Sequence, residues 1–333
     1  MPEGDSAWRA AHHLGRALAD RTVERFELRV PAHATADLRG ERIAGADARG
    51  KHVLLRIGRF TVHSHFGMDG SWRLVPPGEQ DAAGRVAGAP PPLTGRTAQR
   101  GAASSGSQTG PDAADNTSRA RRGAARSASQ ARPGAAGSAS RARPSARLQR
   151  GPSTGWPAAH RIRAIIGTDA VIALGIDLAV CDLWPTADEH RHLGHLGPDL
   201  LTDAPDLDEA ARRILAEPDR PITGALLDQR NVAGLGNEYV TEMCFLRGAL
   251  PSRTVAEAGD IGEWLALGRR LLLANRDRVE RTFTGDLHDG AWVFGREGLP
   301  CKRCGAIIEA GEHDSGYRGA ERRDSSWCPH CQR

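Results

Sequence analysis

LLDQRNVAGLGNEY, residues 226–239, decides how this 333-residue chain is read. An apolar run with helical spacing ends in Asp228-Gln229-Arg230-Asn231, then Gly234 and Gly236 follow, and Asn237 opens a second helical pattern. Two glycines ahead of a helix start allow a tight turn and a close approach of backbone to a ligand. The first amides of that helix have no partner within it and carry the positive end of its dipole, a setting that suits a phosphate. Asn237 adds a side-chain amide able to donate to the same oxygen. On these residues alone two readings stand: a helix cap with a tight turn, or an anion site on a helix N-terminus.

Both ends of the chain carry chemistry. The start is Met1-Pro2-Glu3-Gly4; removal of Met1 ahead of the small Pro2 exposes a secondary amine. An α-amino group titrates near ~7.7–8, so a useful fraction is neutral and nucleophilic at pH 7. Such an amine can attack an electrophilic carbon and form an iminium, and Glu3, one residue away, can give and take a proton beside it. Trp8, Ala11, His12, Leu14, Gly15 and Leu18 then mark an amphipathic helix, with Asp5 or Ser6 as its cap. At the other end, Cys301-Lys302-Arg303-Cys304 and Cys328-Pro329-His330-Cys331 stand 23 residues apart. Two C-x2-C knuckles at this separation predict one structural four-thiolate Zn²⁺ site holding a β-hairpin too small to bury a core. Disulfides are the competing explanation, weakened by the absence of a secretory leader and by the isolation of Cys181 and Cys244; His313 and His330 are spare ligands.

Three motifs in order, MPEG, DQRNVAGLGNEY and the paired C-x2-C knuckles ending in Gln332, resemble the Fpg/Nei family of formamidopyrimidine-DNA glycosylase and endonuclease VIII. AWVFGREGLPCKRC (291–304) and LGPDLL (196–201) add to the likeness, which covers about 250 residues. The resemblance implies an α+β multidomain chain: an N-terminal β-sandwich with a leading helix (1–184), a helix–two-turn–helix DNA-binding domain (185–286) and a C-terminal β-hairpin zinc finger (287–333). It implies Pro2 as the Schiff-base nucleophile, with Glu3 and Lys51 (in RGKHVLLRI, 49–57) as further catalytic groups. Met68, at the tip of HFGMDGSW, becomes the wedge that fills the stack after a nucleotide is flipped, and Asn237 and Arg323 become phosphate contacts, with Arg322 as the neighbouring fallback. Tyr317, Arg318 and Trp327 surround them on the hairpin.

Two departures matter. Family members often carry Pro and Glu where this chain has Asp5-Ser6, which displaces the second N-terminal carboxylate. The purine-directed branch carries a P-R-R-F-G loop, whereas residues 160–184 contain no Arg-Phe-Gly, and this favours the endonuclease VIII branch and oxidised pyrimidines. The expected activity is that of a bifunctional DNA glycosylase and abasic-site lyase with β,δ-elimination, a monomer acting on damaged double-stranded DNA in the bacterial cytoplasm, at the nucleoid. The alternatives are a lyase with little base excision and a non-catalytic damaged-DNA-binding scaffold.

Residues 77–158 interrupt the pattern. They are rich in Ala, Gly, Ser, Pro and Arg and read as disordered. Twelve arginines against four acids give the segment a charge of +8, while the whole chain is +4. The basic balance therefore sits in the insert, either as non-specific DNA affinity or as a tolerated loop extension. No apolar stretch reaches the ~18 residues of a membrane span. Strands are predicted near 22–30, 40–46, 52–58, 60–66, 71–75, 161–166, 170–176 and 179–183, and helices at 188–193, 207–216, 222–229, 236–246 and 260–275.

Overall fold

In a computed structural model, residues 2–77, 156–313 and 323–333 are described. Helix α1 (Gly4–Leu18) leads, and its buried Ala7, Ala11, Leu14 and Leu18 recur at the three-to-four-residue spacing that makes one apolar face. That face packs on β2 (Ile43–Arg49) and β3 (His52–Ile57). Two four-stranded antiparallel sheets follow. One has the order β1 (Arg25–Leu28), β6 (Ile162–Gly167), β7 (Ile172–Ile176), β5 (Ser71–Val75); the other runs β2, β3, β4 (Phe60–His65), β8 (Val180–Pro185). Burial follows position in the sheet. Edge strand β1 alternates, with Phe26 and Leu28 inward, whereas central β7 (IALGI) is buried throughout.

The predicted boundary of the insert shifts at its far end. Trp156 is buried against Val75, Ile162 and Leu174, with the Arg25 guanidinium over its ring. Residues 156–158 therefore belong to the sandwich, because one large aromatic among small residues still finds a core face. Residues 78–155 lie outside the described residues.

The second half is helical: α2 (Glu189–Leu193), α3 (Leu207–Leu215), α4 (Ile222–Leu227), α5 (Asn237–Arg247) and α6 (Ile261–Asn275). Helix α5 is buried nearly all round, through Tyr239, Val240, Met243, Cys244 and Phe245, as the central rod of its core must be. Leu54, Trp184, Leu193, Leu196 and Ala233 pack together and join the sandwich to this helical part. The last element is a two-stranded antiparallel hairpin, β9 (Glu309–His313) and β10 (Arg323–Trp327). No helix among the described residues is long and apolar enough to cross a membrane.

Candidate active site and metal centre

The turn between α4 and α5 is held by its own side chains. Gln229 Nε2 donates to Leu227 O and Leu235 O, each at 2.9 Å, and its Oε1 accepts from Gly234 N at 3.0 Å. Asn231 Nδ2 donates to Ala225 O, and buried Asp228 takes Arg230 and the nearly inaccessible Arg220. The DQRN run therefore builds the turn. Gly234 adopts φ +108°, which favours glycine.

Three segments meet at this turn. From the N-terminus, Gly4 N donates to Gly234 O at 2.9 Å, and Glu3 Oε1 accepts the amide of Glu238 at 2.9 Å. From the β2–β3 turn, Gly50 packs on Ala233 and donates to Asp199 Oδ2 at 2.7 Å, which seats Lys51 close enough for its charge to act on Glu3. Gly236 is extended (φ −136°), so its need is one of space: a Cβ there would stand 2.3 Å from Glu3 Cδ.

Glu3 is 1 % exposed, and its Oε2 has no hydrogen-bond partner. Burial raises its pKa above the usual carboxylate range, opposed by the charges of Lys51 and Arg281. A buried carboxyl with one open oxygen, next to an amine-bearing residue, is suited to moving a proton. Pro2 precedes it, half-buried.

Two expectations are corrected here. The leading amide of Glu238 is taken by Glu3, so the positive end of α5 already faces a carboxylate and is not an empty phosphate cradle. Neither Asp5 nor Ser6 caps α1: the cap position is Glu3, whose side chain makes no cap bond. Asp5 is instead wholly buried against Arg281, with Nε–Oδ2 2.6 Å. Burial alone would raise the Asp5 carboxyl, but the Arg281 guanidinium outweighs it and holds the group below the usual range. Arg281 was not singled out in the sequence, and it also reaches Glu238 Oε2 at 2.6 Å.

Asn237 is buried, and its Nδ2 donates to Asp324 O on β10 at 2.8 Å while Oδ1 has no partner. The hairpin and the α5 start are therefore joined next to the backbone of Arg323. The Arg323 side chain, and Tyr317, Arg318 and Arg322, lie outside the described residues. Met68 is 60 % exposed at the tip of the β4–β5 connection, and β7 reaches β8 through three residues, 177–179. A concavity of about 340 Å³ lined by Trp8, His12, Asp47, Gly50, Asp199 and Asp203 takes in none of Pro2, Glu3, Asn237 or Met68.

The four knuckle sulfurs lie within 4.8 Å of one another, Cys304–Cys328 at 3.4 Å and Cys301–Cys331 at 4.0 Å. These separations exclude S–S bonds and bracket the about 3.8 Å between thiolates around a tetrahedral ion with Zn–S near 2.3 Å. Amides of Arg303 and Cys331 point at Cys301 and Cys328 sulfurs, each at 3.4 Å, which favours thiolate. Buried Gln332 fixes the second knuckle, accepting from Cys328 N and donating to Ala249 O, both at 2.8 Å. The donor set fits a structural metal ion.

A sandwich with its N-terminus pressed on a helix–turn–helix and closed by a four-thiolate hairpin defines an Fpg-type fold. MutM in complex with carbocyclic 8-oxo-G containing DNA superposes over the whole of both chains with a TM-score of 0.65 at 18 % identity. A Lactococcus lactis Fpg bound to abasic-site DNA does so at 0.65 and 17 %, covering 99 % of each chain. The family model of the formamidopyrimidine-DNA glycosylase N-terminal domain matches residues 1–98. A probable endonuclease 8 2 of Streptomyces coelicolor is 36 % identical over all of this chain and 94 % of its own length. The DNA-(apurinic or apyrimidinic site) lyase Nei2 of Mycolicibacterium smegmatis is 33 % identical over 100 % and 99 %. The chain belongs to the family of formamidopyrimidine-DNA glycosylase and endonuclease VIII.

Proposed function

We propose that the protein is a bifunctional DNA glycosylase and abasic-site lyase of base excision repair, acting on oxidised bases, mainly pyrimidines, in damaged duplex DNA. The observation that carries the mechanism is the buried Glu3 carboxyl with an open Oε2, seated beside Pro2 on the α5 start and within the field of Lys51. Once Met1 is removed, the Pro2 amine attacks C1′ and the glycosidic bond breaks, the base leaving with its electron pair and a proton. Glu3 Oε2 delivers a proton to the ring oxygen as the C1′–O4′ bond breaks. The resulting carboxylate takes a proton from C2′, the electrons of that C–H bond expel the 3′ phosphate through the iminium, and loss of a C4′ proton then expels the 5′ phosphate. Lys51 balances charge at the carboxylate or on phosphate. Asn237 keeps one amide hydrogen beyond its bond to Asp324 for a phosphate oxygen, and Arg323 contacts the same strand. Met68 is exposed and unbranched, as filling the stack requires. Zinc, held by Cys301, Cys304, Cys328 and Cys331, supplies folding energy to the hairpin and no chemistry at C1′.

The short β7–β8 connection leaves no room for a second wedge loop there, which favours, as the alternative, a lyase with weak base excision. Borohydride trapping on a duplex with one abasic site, beside Pro2→Gly and Pro2→Thr, tests the chemistry. A covalent adduct from wild type that the variants reduce is the expected result. No adduct from protein lacking Met1 and holding zinc refutes it and leaves a binding scaffold. A thymine-glycol duplex, compared with the abasic one, separates glycosylase from lyase.

A further inference from the structure

A buried charge cluster beneath Glu3 has no part in those steps. Asp5, at the second residue of α1, takes Arg281 through Nε–Oδ2 at 2.6 Å and Nη2–Oδ1 at 2.7 Å. The same guanidinium reaches Ser6 Oγ at 2.9 Å and Glu238 Oε2 at 2.6 Å, and lies 5.4 Å from the centre of the Tyr239 ring. Arg281 thus ties the first turn of α1 to the first turn of α5, the two helix ends between which Glu3 is held. Its own segment is anchored in turn, because Asn275 at the end of α6 makes two hydrogen bonds to the Thr282 backbone, at 2.9 and 3.1 Å.

An apolar pair of similar volume would join the two helices at least as well, since a buried ion pair seldom adds net stability. What the pair adds is a fixed field at the chain start. We infer that Arg281 and Asp5 are positioning residues for the Pro2–Glu3 end, clamping it on α5 and setting the charge that the amine and the carboxyl experience. The inference rests on the reading of Pro2 and Glu3 given above. The charges facing Glu3 are Lys51 on the β2–β3 turn, Arg281 after α6, Glu238 on α5 and Asp5 on α1. With Glu3 itself, three carboxylates meet two cations. Loss of Arg281 leaves three against one; neutralising Asp5 leaves two against two.

The signs follow. Removing a cation raises the pKa of both the amine and the carboxyl, and removing an anion lowers both. The rate of borohydride-trapped adduct on an abasic duplex, measured across pH, is therefore displaced as a whole: upward by about one unit in Arg281→Met and downward by less in Asp5→Asn, since the Asp5 charge acts on Glu3 more weakly than that of Arg281. The double variant returns towards the wild-type position, with a lower rate. Thermal melting establishes that each variant is folded. Asp5→Asn keeps the volume, and leaves Arg281 its bonds to Ser6 and Glu238, so it decides the matter if Arg281→Met does not fold. Folded variants whose profiles stay in place, or move in the same direction, overturn the inference and leave the Pro2 chemistry standing. Absence of any adduct from wild type overturns that chemistry, and the inference with it.

Discussion

Gly236→Ala isolates the seat of Glu3 from everything else in the site. The backbone there is extended, with φ −136° and ψ −170°, so alanine meets no conformational strain. The new methyl would stand 2.3 Å from Glu3 Cδ and 2.5 and 2.7 Å from its oxygens. Ordinary contact begins at 3.4 Å, so the carboxyl must retreat by about 1 Å. That movement ends the 2.9 Å bond from Glu238 N. A hydrogen bond to a charged group contributes about 1.5–3 kcal/mol, and Glu3, 1 % exposed and with no partner at Oε2, has no second bond to recover it. For a chain of this size, melting drops by about 2–4 °C per kcal/mol. The effect on chemistry is larger, since a 1 Å displacement of a reacting group slows reaction by about 100-fold. Single-turnover trapping on an abasic duplex reads the rate, while a gel-shift titration shows that DNA affinity is unchanged. Trapping within about threefold of wild type, in a folded protein, would refute the claim that this turn exists to place Glu3.

Three further predictions concern the frame around the site. Chelation of the metal ion proposed for the four-cysteine site, or Cys304→Ser, should melt the hairpin and free Asn237 from Asp324; affinity for an abasic duplex should fall by about tenfold, equivalent to about 1.4 kcal/mol, and return with zinc, whereas unaltered binding by metal-free protein removes the hairpin from the proposed DNA interface. Asp228→Ala leaves Arg220, which is 8 % exposed and paired to Asp228 at 3.1 Å, with only the exposed Glu217 carboxylate at 3.2 Å; urea unfolding should show a loss of about 3 kcal/mol, and a loss below about 1 kcal/mol contradicts a buried pair. His63 is held neutral, its pKa down to about 4, first by burial and then by His65 and His192, with Asp182 opposing. Above the unfolded value of 6.5 its contribution is fully present; as pH falls from there towards 4 the unfolded chain takes a proton that the folded one refuses, and up to about 3 kcal/mol is lost. His63→Gln makes that acid limb, in stability measured against pH, shallower without abolishing it, since burial also pushes neighbouring His52 down to about 3, and an unchanged limb excludes His63 as a source.

The elements were legible because each carries its own period. Val, Ile and Leu runs bounded by Gly or Asp gave the eight sandwich strands, and the four cysteines marked the hairpin between them. Trp156 was hidden by its neighbours: a single aromatic among Ala, Gly and Ser has no periodicity, yet it is buried. Pairings between remote segments left no trace at all. Asp5 and Arg281 are 276 positions apart, and nothing in either local pattern points to the other; the only signal was Asp5 standing where the family often has proline.

The opening stretch shows the same limit more sharply. A glycine turn ahead of a helix reads as a seat for a phosphate at the α5 start, whereas the group seated there is a carboxyl of the protein itself. Glu3 holds the Glu238 amide, and Gly236 is glycine because the carboxyl lies where a methyl would be. A phosphate competing for the same helix end would displace the group that moves the proton. The proposed contact through the Asn237 side chain avoids that conflict, because it uses an amide hydrogen of Nδ2 and leaves the Glu238 amide to Glu3. Phosphate recognition and proton transfer can then rest on different atoms of the same helix start, the Asn237 side chain for one and the Glu3 carboxyl, 1 % exposed, for the other.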